Sequence, residues 1–124
     1  VAEVLVVDDS KVMRDMITAC LRPDPKLTIT QAASGLEAIE RLSLKAYDCV
    51  VLDLNMPDIG GLEVVEFVRS QDKLRKLPVL IVTTRGDDTS RETVLAAGAS
   101  RFMTKPFTPE QILGEVQALL AGTA

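Results

Sequence analysis

A chain of 124 residues and 13.4 kDa has room for one core and not comfortably for a second, so residues 1–124 are expected to form one domain. With 47% hydrophobic residues, 26% charged residues and 3% aromatics, the composition is that of a globular protein with an aliphatic core and excludes collagen-like and disordered classes. A formal net charge of -4 argues against a nucleic-acid groove as the main surface, and the lack of histidine excludes histidine acid–base chemistry, histidine metal sites and a histidine phosphoacceptor.

Cys20 and Cys49 show no CxxC spacing and read as small buried hydrophobes. Neither a signal segment nor an apolar run of about 20 residues appears, so a cytoplasmic location and no membrane insertion are expected.

The first strand is "EVLVV", Glu3 to Val7, ending at Asp8-Asp9. "SKVMRDMITACL" follows as a helix with Ser10 near its start and Val12, Met13, Met16, Ile17 and Leu21 at helical spacing; the two prolines of "RPDPK" stop it. "LTITQAA" is the second strand and "SGLEAIERLSL" the second helix, where Ser34 and Glu37 form a capping-box pattern. The third strand, near Asp48 to Leu54, is a continuous apolar run of the kind buried on both faces, and it meets the carboxylate of Asp53 before Pro57. "DIGGLEVVEFVRS" is a turn and an amphipathic helix with Leu62, Val65 and Val68 three apart. "LPVLIVTT", Leu77 to Thr84, is the most apolar strand and is expected in the sheet interior. After the loop "RGDD", the helix "TSRETVLAAG" ends at Gly98, a left-handed cap. "SRFMTKPF" supplies the last strand. The last helix has Thr108 as N-cap, Pro109 at its first position, Gln111 completing the box, and Ile112, Val116 and Leu119 or Leu120 as its apolar stripe.

Five strands alternating with five helices predict an α/β fold, a (βα)5 doubly wound parallel sheet covered on both faces, whose functional crevice lies at the carboxyl ends of the strands. Asp8-Asp9, Asp53, Thr83-Thr84 and Lys105 all fall there. Singly, each has a plain reading: Asp after a strand is a turn or cap residue, and one of Asp8 and Asp9 can serve only to cap the first helix. Together, clustered carboxylates repel and call for a cation. Mg2+ suits an all-oxygen site used with a phosphoryl group. Lys105 adds a second positive charge and Thr83 a hydroxyl, a set suited to moving a phosphoryl group onto an aspartate oxygen. The patterns GxxxxGK[ST] and GxGxxG after the first strand are missing, which argues against a nucleotide or flavin domain.

At these residues the chain resembles the receiver domains of bacterial two-component response regulators, particularly single-domain chemotaxis-type regulators. The likeness spans nearly the whole chain: "VLVVDDS", "VVLDLNMP", "VLIVTT", "AAGAS" and "KPF", in that order. It implies a flavodoxin-like receiver fold with strand order 2-1-3-4-5. It implies that Asp53 is the phosphoacceptor, that Asp9 directly and Asp8 partly through water position Mg2+ together with Asp53, and that Asn55 lends its backbone carbonyl. Lys105 would pair with phosphoryl oxygens and precede a cis peptide to Pro106. Thr83 resembles the switch hydroxyl and Phe102 the switch aromatic; on composition alone, Phe102 reads equally as a core residue of its strand. Asn55, Thr84 and Arg85 are expected to modulate phosphoryl lifetime. The implied donor is a sensor histidine kinase or histidine phosphotransfer domain, and the implied output surface is Thr89 to Ala97, Ser100 to Thr104 and Thr108 to Leu120.

The expected function is therefore a phosphorylation-dependent signalling switch that catalyses only its own phosphorylation and dephosphorylation and binds a protein target: a motor component, a kinase or a scaffold. One alternative is the receiver of a hybrid kinase, or a phosphate sink without its own output. A weaker one is an aspartyl-phosphate hydrolase, for which no substrate cap is visible. No nucleic-acid output is expected, since only Gly122, Thr123 and Ala124 follow the last helical segment and its terminal alanine. One departure stands out: "DIGG" has Gly60 where the family often has Asp, which is expected to loosen the turn into the third helix.

Overall fold

The structure, a computed structural model, describes residues 1–122. Thr123 and Ala124, which the sequence places after the last helix, lie outside the described residues. The elements are β1 (Ala2–Val7), α1 (Lys11–Leu21), β2 (Leu27–Ala32), α2 (Gly35–Leu44), β3 (Cys49–Leu52), α3 (Gly61–Ser70), β4 (Val79–Thr83), α4 (Asp88–Ala97), β5 (Arg101–Thr104) and α5 (Pro109–Leu120). All strand pairs are parallel and the order is β2-β1-β3-β4-β5, the doubly wound sheet that the alternation of elements predicts.

Side-chain alternation divides the core between the two faces of the sheet. Leu5, Val7, Val50, Leu52, Val79 and Ile81 pack with Ala38 and Leu42 of α2, Val64, Val65 and Val68 of α3, and Val94 of α4. Val4, Val6, Cys49, Val51, Leu80 and Val82 point the other way, onto Ile17, Cys20 and Leu21 of α1 and Ile112, Val116 and Leu119 of α5. Every residue of β3 and β4 is buried, as their continuous apolar runs require. Both cysteines are free and buried, and burial pushes the Cys49 thiol up to about 12, so it behaves as the small hydrophobe the sequence suggests.

Three helix starts follow the predicted caps: Ser10, Ser34 and Thr108 each accept a backbone N–H of the first turn, and Thr108 with Gln111 completes a reciprocal box. Helix α4 begins at Asp88, a residue before the sequence reading, and is capped by Asp87 of the loop, whose side chain accepts from Ser90 N. Gly98 ends α4 at φ 120°, a conformation that strains side-chain-bearing residues.

Four local readings change. In α1, Val12 is 76% and Met16 44% exposed, while Ile17, Thr18, Cys20 and Leu21 are buried, so the helix is rotated from the apolar stripe read in the sequence. This orientation accompanies a polar seam between α1 and β2, in which Arg14 and Thr18 meet Gln31. In α3 the stripe is Val64, Val65 and Val68, with Leu62 half-buried. At α2 the box is one-sided: Ser34 Oγ accepts from Glu37 N, but the Glu37 carboxylate meets Arg41 at 3.4 Å. Strand β3 ends at Leu52, which places Asp53 just past the ladder rather than within it.

Candidate functional site

Backbone hydrogen bonds carry each strand one step beyond its end and so gather the site. Asp8 N donates to Ala32 O at 3.2 Å, Asp53 N to Val7 O at 3.1 Å and Lys105 N to Thr83 O at 2.9 Å. These bonds bring the residues after β1, β3 and β5 level at one edge of the sheet. Gly61 lets α3 begin directly against that edge, since a Cβ there would collide with the Asp53 carbonyl oxygen.

Asp8, Asp9 and Asp53 each present a carboxylate oxygen within 4.8 Å of the others. Lys105 Nζ stands 2.8 Å from Asp8 Oδ2 and 3.6 Å from Asp53 Oδ2. Asp8, 2% exposed, also accepts from Ser10 N at Oδ1, at 2.9 Å. Asp53 is 6% exposed, and its Oδ1 is buried with no hydrogen-bond partner. Burial pushes the Asp53 carboxyl above the ordinary aspartate value; the Lys105 ammonium pulls it back, Asp8 pushes it up again, and the Asn55 N–H and Thr83 hydroxyl act downward. Asp9 is exposed and lines, with Asn55, Met56 and Arg85, a cleft of ≈ 730 Å³ between the β3–α3 loop and the start of α4.

Three observations fit this donor set to Mg2+. The carboxylates converge, Asp53 Oδ1 is buried without a partner, and the Asn55 carbonyl accepts no backbone hydrogen bond among the described residues. These are hard oxygen donors of the kind Mg2+ takes, in a site where three carboxylates converge and one lysine reaches two of them.

The remaining predicted residues lie around this centre. Thr83 is fully buried and its hydroxyl accepts from Arg85 N at 3.2 Å. Arg85 Nη1 donates to Asn55 Oδ1 at 3.3 Å, and Thr84 is exposed beside them. Phe102, opposite Ile81 in the ladder, is half-buried, and the Arg91 guanidinium lies 5.8 Å from its ring centre. Lys105–Pro106 is cis.

The "DIGG" loop is hydrogen-bonded on both sides. Glu63 accepts from Gly60 N at 2.9 Å, and Asp58 accepts from Gly35 N at 3.2 Å and Leu36 N at 3.0 Å. The helix amides hold the Asp58 carboxyl down to about 2. A glycine cap forgoes a side-chain hydrogen bond, and Glu63 and Asp58 supply the restraint from either side.

Arg14, Asp58 and Arg91 were not singled out by sequence. The only trace of Asp58 was an acid three residues before Gly61, and Arg14 and Arg91 read as ordinary polar positions of amphipathic helices.

A family model described as the response regulator receiver domain matches residues 4–117. Chemotaxis protein CheY1 of Helicobacter pylori (strain ATCC 700392 / 26695) is 38% identical over 122 residues, covering 98% of each chain. The structure of the chemotaxis response regulator CheY4 of Vibrio cholerae matches with a TM-score of 0.88 at 35% identity, over 95% of this chain and 98% of that one. The signal receiver domain of a signal transduction histidine kinase from Syntrophus aciditrophicus matches with a TM-score of 0.90 at 29% identity, over 98% of this chain and 92% of that one. The order of strands, the acidic cluster at their carboxyl edge and these likenesses agree, and the chain belongs to the response regulator receiver domain family.

Proposed function

We propose that this chain, residues 1–124 taken as one receiver domain, is a phosphorylation-dependent signalling switch with Asp53 as its phosphoacceptor. The observation that supports it most directly is Asp53 itself: its Oδ1 is buried without a partner, its Oδ2 stands 3.6 Å from Lys105 Nζ, and the carboxylates of Asp8 and Asp9 converge on it. An Asp53 oxygen attacks the phosphorus of a phosphohistidine on a sensor histidine kinase or histidine phosphotransfer domain. The P–N bond breaks with its electron pair left on the imidazole, and a P–O bond to Asp53 forms. Dephosphorylation reverses the acceptor's gain: water attacks phosphorus and the carboxylate leaves. In both steps Lys105 meets the charge of the phosphoryl oxygens.

Asp9, Asp53 and the Asn55 carbonyl would hold Mg2+ directly in this reading, with Asp8 assisting partly through water. When bound, Mg2+ offsets the crowded negative charge of the carboxylates and the incoming phosphoryl group. The chemistry is confined to the chain's own phosphorylation and dephosphorylation. The product carries about two negative charges and three phosphoryl oxygens where the Asp53 carboxylate carried about one charge. Thr83 turns its hydroxyl to them, and Phe102 moves into the space released. The face made by Thr89–Ala97, Ser100–Thr104 and Thr108–Leu120 is then remodelled for a protein target: a motor component, a kinase or a scaffold.

Among the described residues no helix is long and apolar enough to cross a membrane, and a cytoplasmic location is proposed with the function. The likeness to the Syntrophus kinase receiver supports a second reading, a receiver that passes on or drains phosphoryl groups without its own target.

Incubation with Mg2+ and a small acyl phosphate, followed by intact mass, tests the acceptor. Wild type gains one phosphoryl group and Asp53→Asn gains none; equal addition to both, or to neither, rejects the assignment. Target capture by the phosphorylated form alone separates the first reading from the second.

A further inference from the structure

Asp8 differs from its two acidic neighbours in how completely it is held. Its N–H donates to Ala32 O, Oδ1 accepts from Ser10 N and Oδ2 accepts from Lys105 Nζ. Its carbonyl oxygen accepts from Arg14 Nη1 at 2.9 Å. All four of its polar groups are therefore engaged, each from a different residue, while Asp9 is exposed and Asp53 Oδ1 is unpartnered. The bond from Arg14 is itself oriented. Arg14 Nε donates to Gln31 Oε1 at 3.2 Å, and Gln31 Nε2 donates to buried Thr18 Oγ1 at 2.9 Å and to Asp15 Oδ1 at 3.1 Å. Thr18 Oγ1 in turn donates to Arg14 O at 2.8 Å. One flat guanidinium thus spans helix α1, strand β2 and the turn after β1 through two of its edges, which a single flexible ammonium cannot do.

We infer that Arg14, aligned by Gln31, is a positioning residue for the cation site: it fixes the peptide between Asp8 and Asp9 and thereby the direction in which Asp9 presents its carboxylate. The peptide plane following Asp8 carries its carbonyl at one end and the Asp9 nitrogen at the other, so holding that carbonyl limits rotation of the very unit to which the Asp9 side chain is attached. Lys105 holds only the Asp8 side chain, and the Ser10 N–H closes a turn across this peptide without engaging its carbonyl, which Arg14 alone of these three residues holds. The inference rests on the acidic cluster being the Mg2+ site.

Charge and position predict opposite outcomes. Arg14 is a cation near a cation site, so its removal by electrostatics alone tightens Mg2+ binding. Loss of positioning weakens it, by about tenfold where an outer-shell partner of a metal ligand is removed.

The experiment is calorimetric titration of Mg2+ into the full chain, with thermal unfolding of the same samples in the absence of Mg2+. Arg14→Ala raises the Mg2+ dissociation constant about tenfold. Gln31→Met, which changes no charge, raises it in the same direction by a smaller factor and shows the Ser10 amide resonance displaced in the Mg2+-free protein. An unchanged or lower dissociation constant in Arg14→Ala overturns the inference, as does a Gln31→Met protein that binds Mg2+ like wild type. Should Arg14→Ala not fold, the Gln31→Met arm decides. Wild type that takes up no Mg2+ removes the site assignment, and this inference with it, and is distinguished from the other negative results by occurring in the unaltered chain.

Discussion

The two flanks of the sheet meet at the same edge but are built differently. On the β2-β1-β3 side, Asp8 has each of its polar groups bonded, and the loop after β3 is tied to α2 by two amides on Asp58. On the β4-β5 side, α4 buries only Val94, whereas α3 buries Gly61, Val64, Val65 and Val68. The Thr83 hydroxyl accepts from the backbone amide two residues on and acts on the Asp53 carboxyl, and Phe102 is half-buried beneath an arginine. A site that must hold charge in place and also report its arrival benefits from this asymmetry. The first flank holds the carboxylates against their mutual repulsion; the second has groups that can change partner with little loss of packing.

Lys105 is the link between the flanks, and its removal is expected to have the largest effect on stability. It reaches from the end of β5 to Asp8 and Asp53, with its side chain 11% exposed and theirs 2% and 8%. Taking one member from a buried charge group leaves the others uncompensated, which costs about 3 kcal/mol. Lys105→Ala should lose about that much in urea unfolding at pH 7 without Mg2+, and should recover part of it with Mg2+ or on acidification, which protonates the raised Asp53 carboxyl. A loss no larger than that of an exposed ion pair, about 0.5 kcal/mol, would mean that Lys105 does not bind the two flanks together.

Asp53 sharpens the comparison through pH. Burial raises its carboxyl value in the folded chain, so the ionised form is penalised there. The sign follows from linkage: the cost is absent below the unfolded value, grows as pH rises from the unfolded to the folded value, and is fully present above it. Asp58 is opposite. Its value, held at about 2 by helix amides, contributes stability above the ordinary aspartate value, and that contribution is lost as pH falls toward about 2. Asp53→Asn should therefore melt higher than wild type at pH 7 without Mg2+, and the advantage should vanish near pH 3. It should also lose most of the increment that Mg2+ gives wild type. A melting advantage that persists unchanged to pH 3 would assign the effect to something other than the Asp53 charge.

The parts of this arrangement that could be read from sequence are those where one residue breaks a local pattern. Asp53 and Lys105 stand out because a charge ends an apolar strand, and Thr108-Pro109-Gln111 because capping chemistry acts over three residues. The rotation of α1 was not legible. Val12 and Met16 lie at helical spacing with Ile17, yet successive residues turn about 100°, and the buried side is the one that packs Ile17, Cys20 and Leu21 on the sheet while Arg14 and Thr18 meet Gln31. The role of Arg14 was hidden for the same reason: its acceptor is a backbone carbonyl, which any residue supplies. At Gly60 the missing side-chain cap was visible, but the bonds that the Asp58 carboxylate accepts from α2 amides, 22 and 23 residues apart in sequence, were not.

The smallest expected effect lies at the mouth of the site, where the flanks touch through side chains. Arg85 Nη1 bonds Asn55 Oδ1 across the opening, and Arg85 N bonds the Thr83 hydroxyl. An exposed bond of this kind contributes about 0.5–1 kcal/mol, which corresponds to a change in rate of about two- to fivefold. Arg85→Ala leaves the backbone bond to Thr83 in place, so phosphorylation should persist, and stability should stay within about 0.5 kcal/mol of wild type, as for other surface changes. What changes is access. Without the guanidinium the Asn55 amide is released and water reaches the phosphoryl group more freely, so the phosphorylated form should decay about two to five times faster. The check is loss of the phosphoryl mass with time after donor removal, and a decay rate equal to wild type would show that the Arg85–Asn55 bridge does not guard the site.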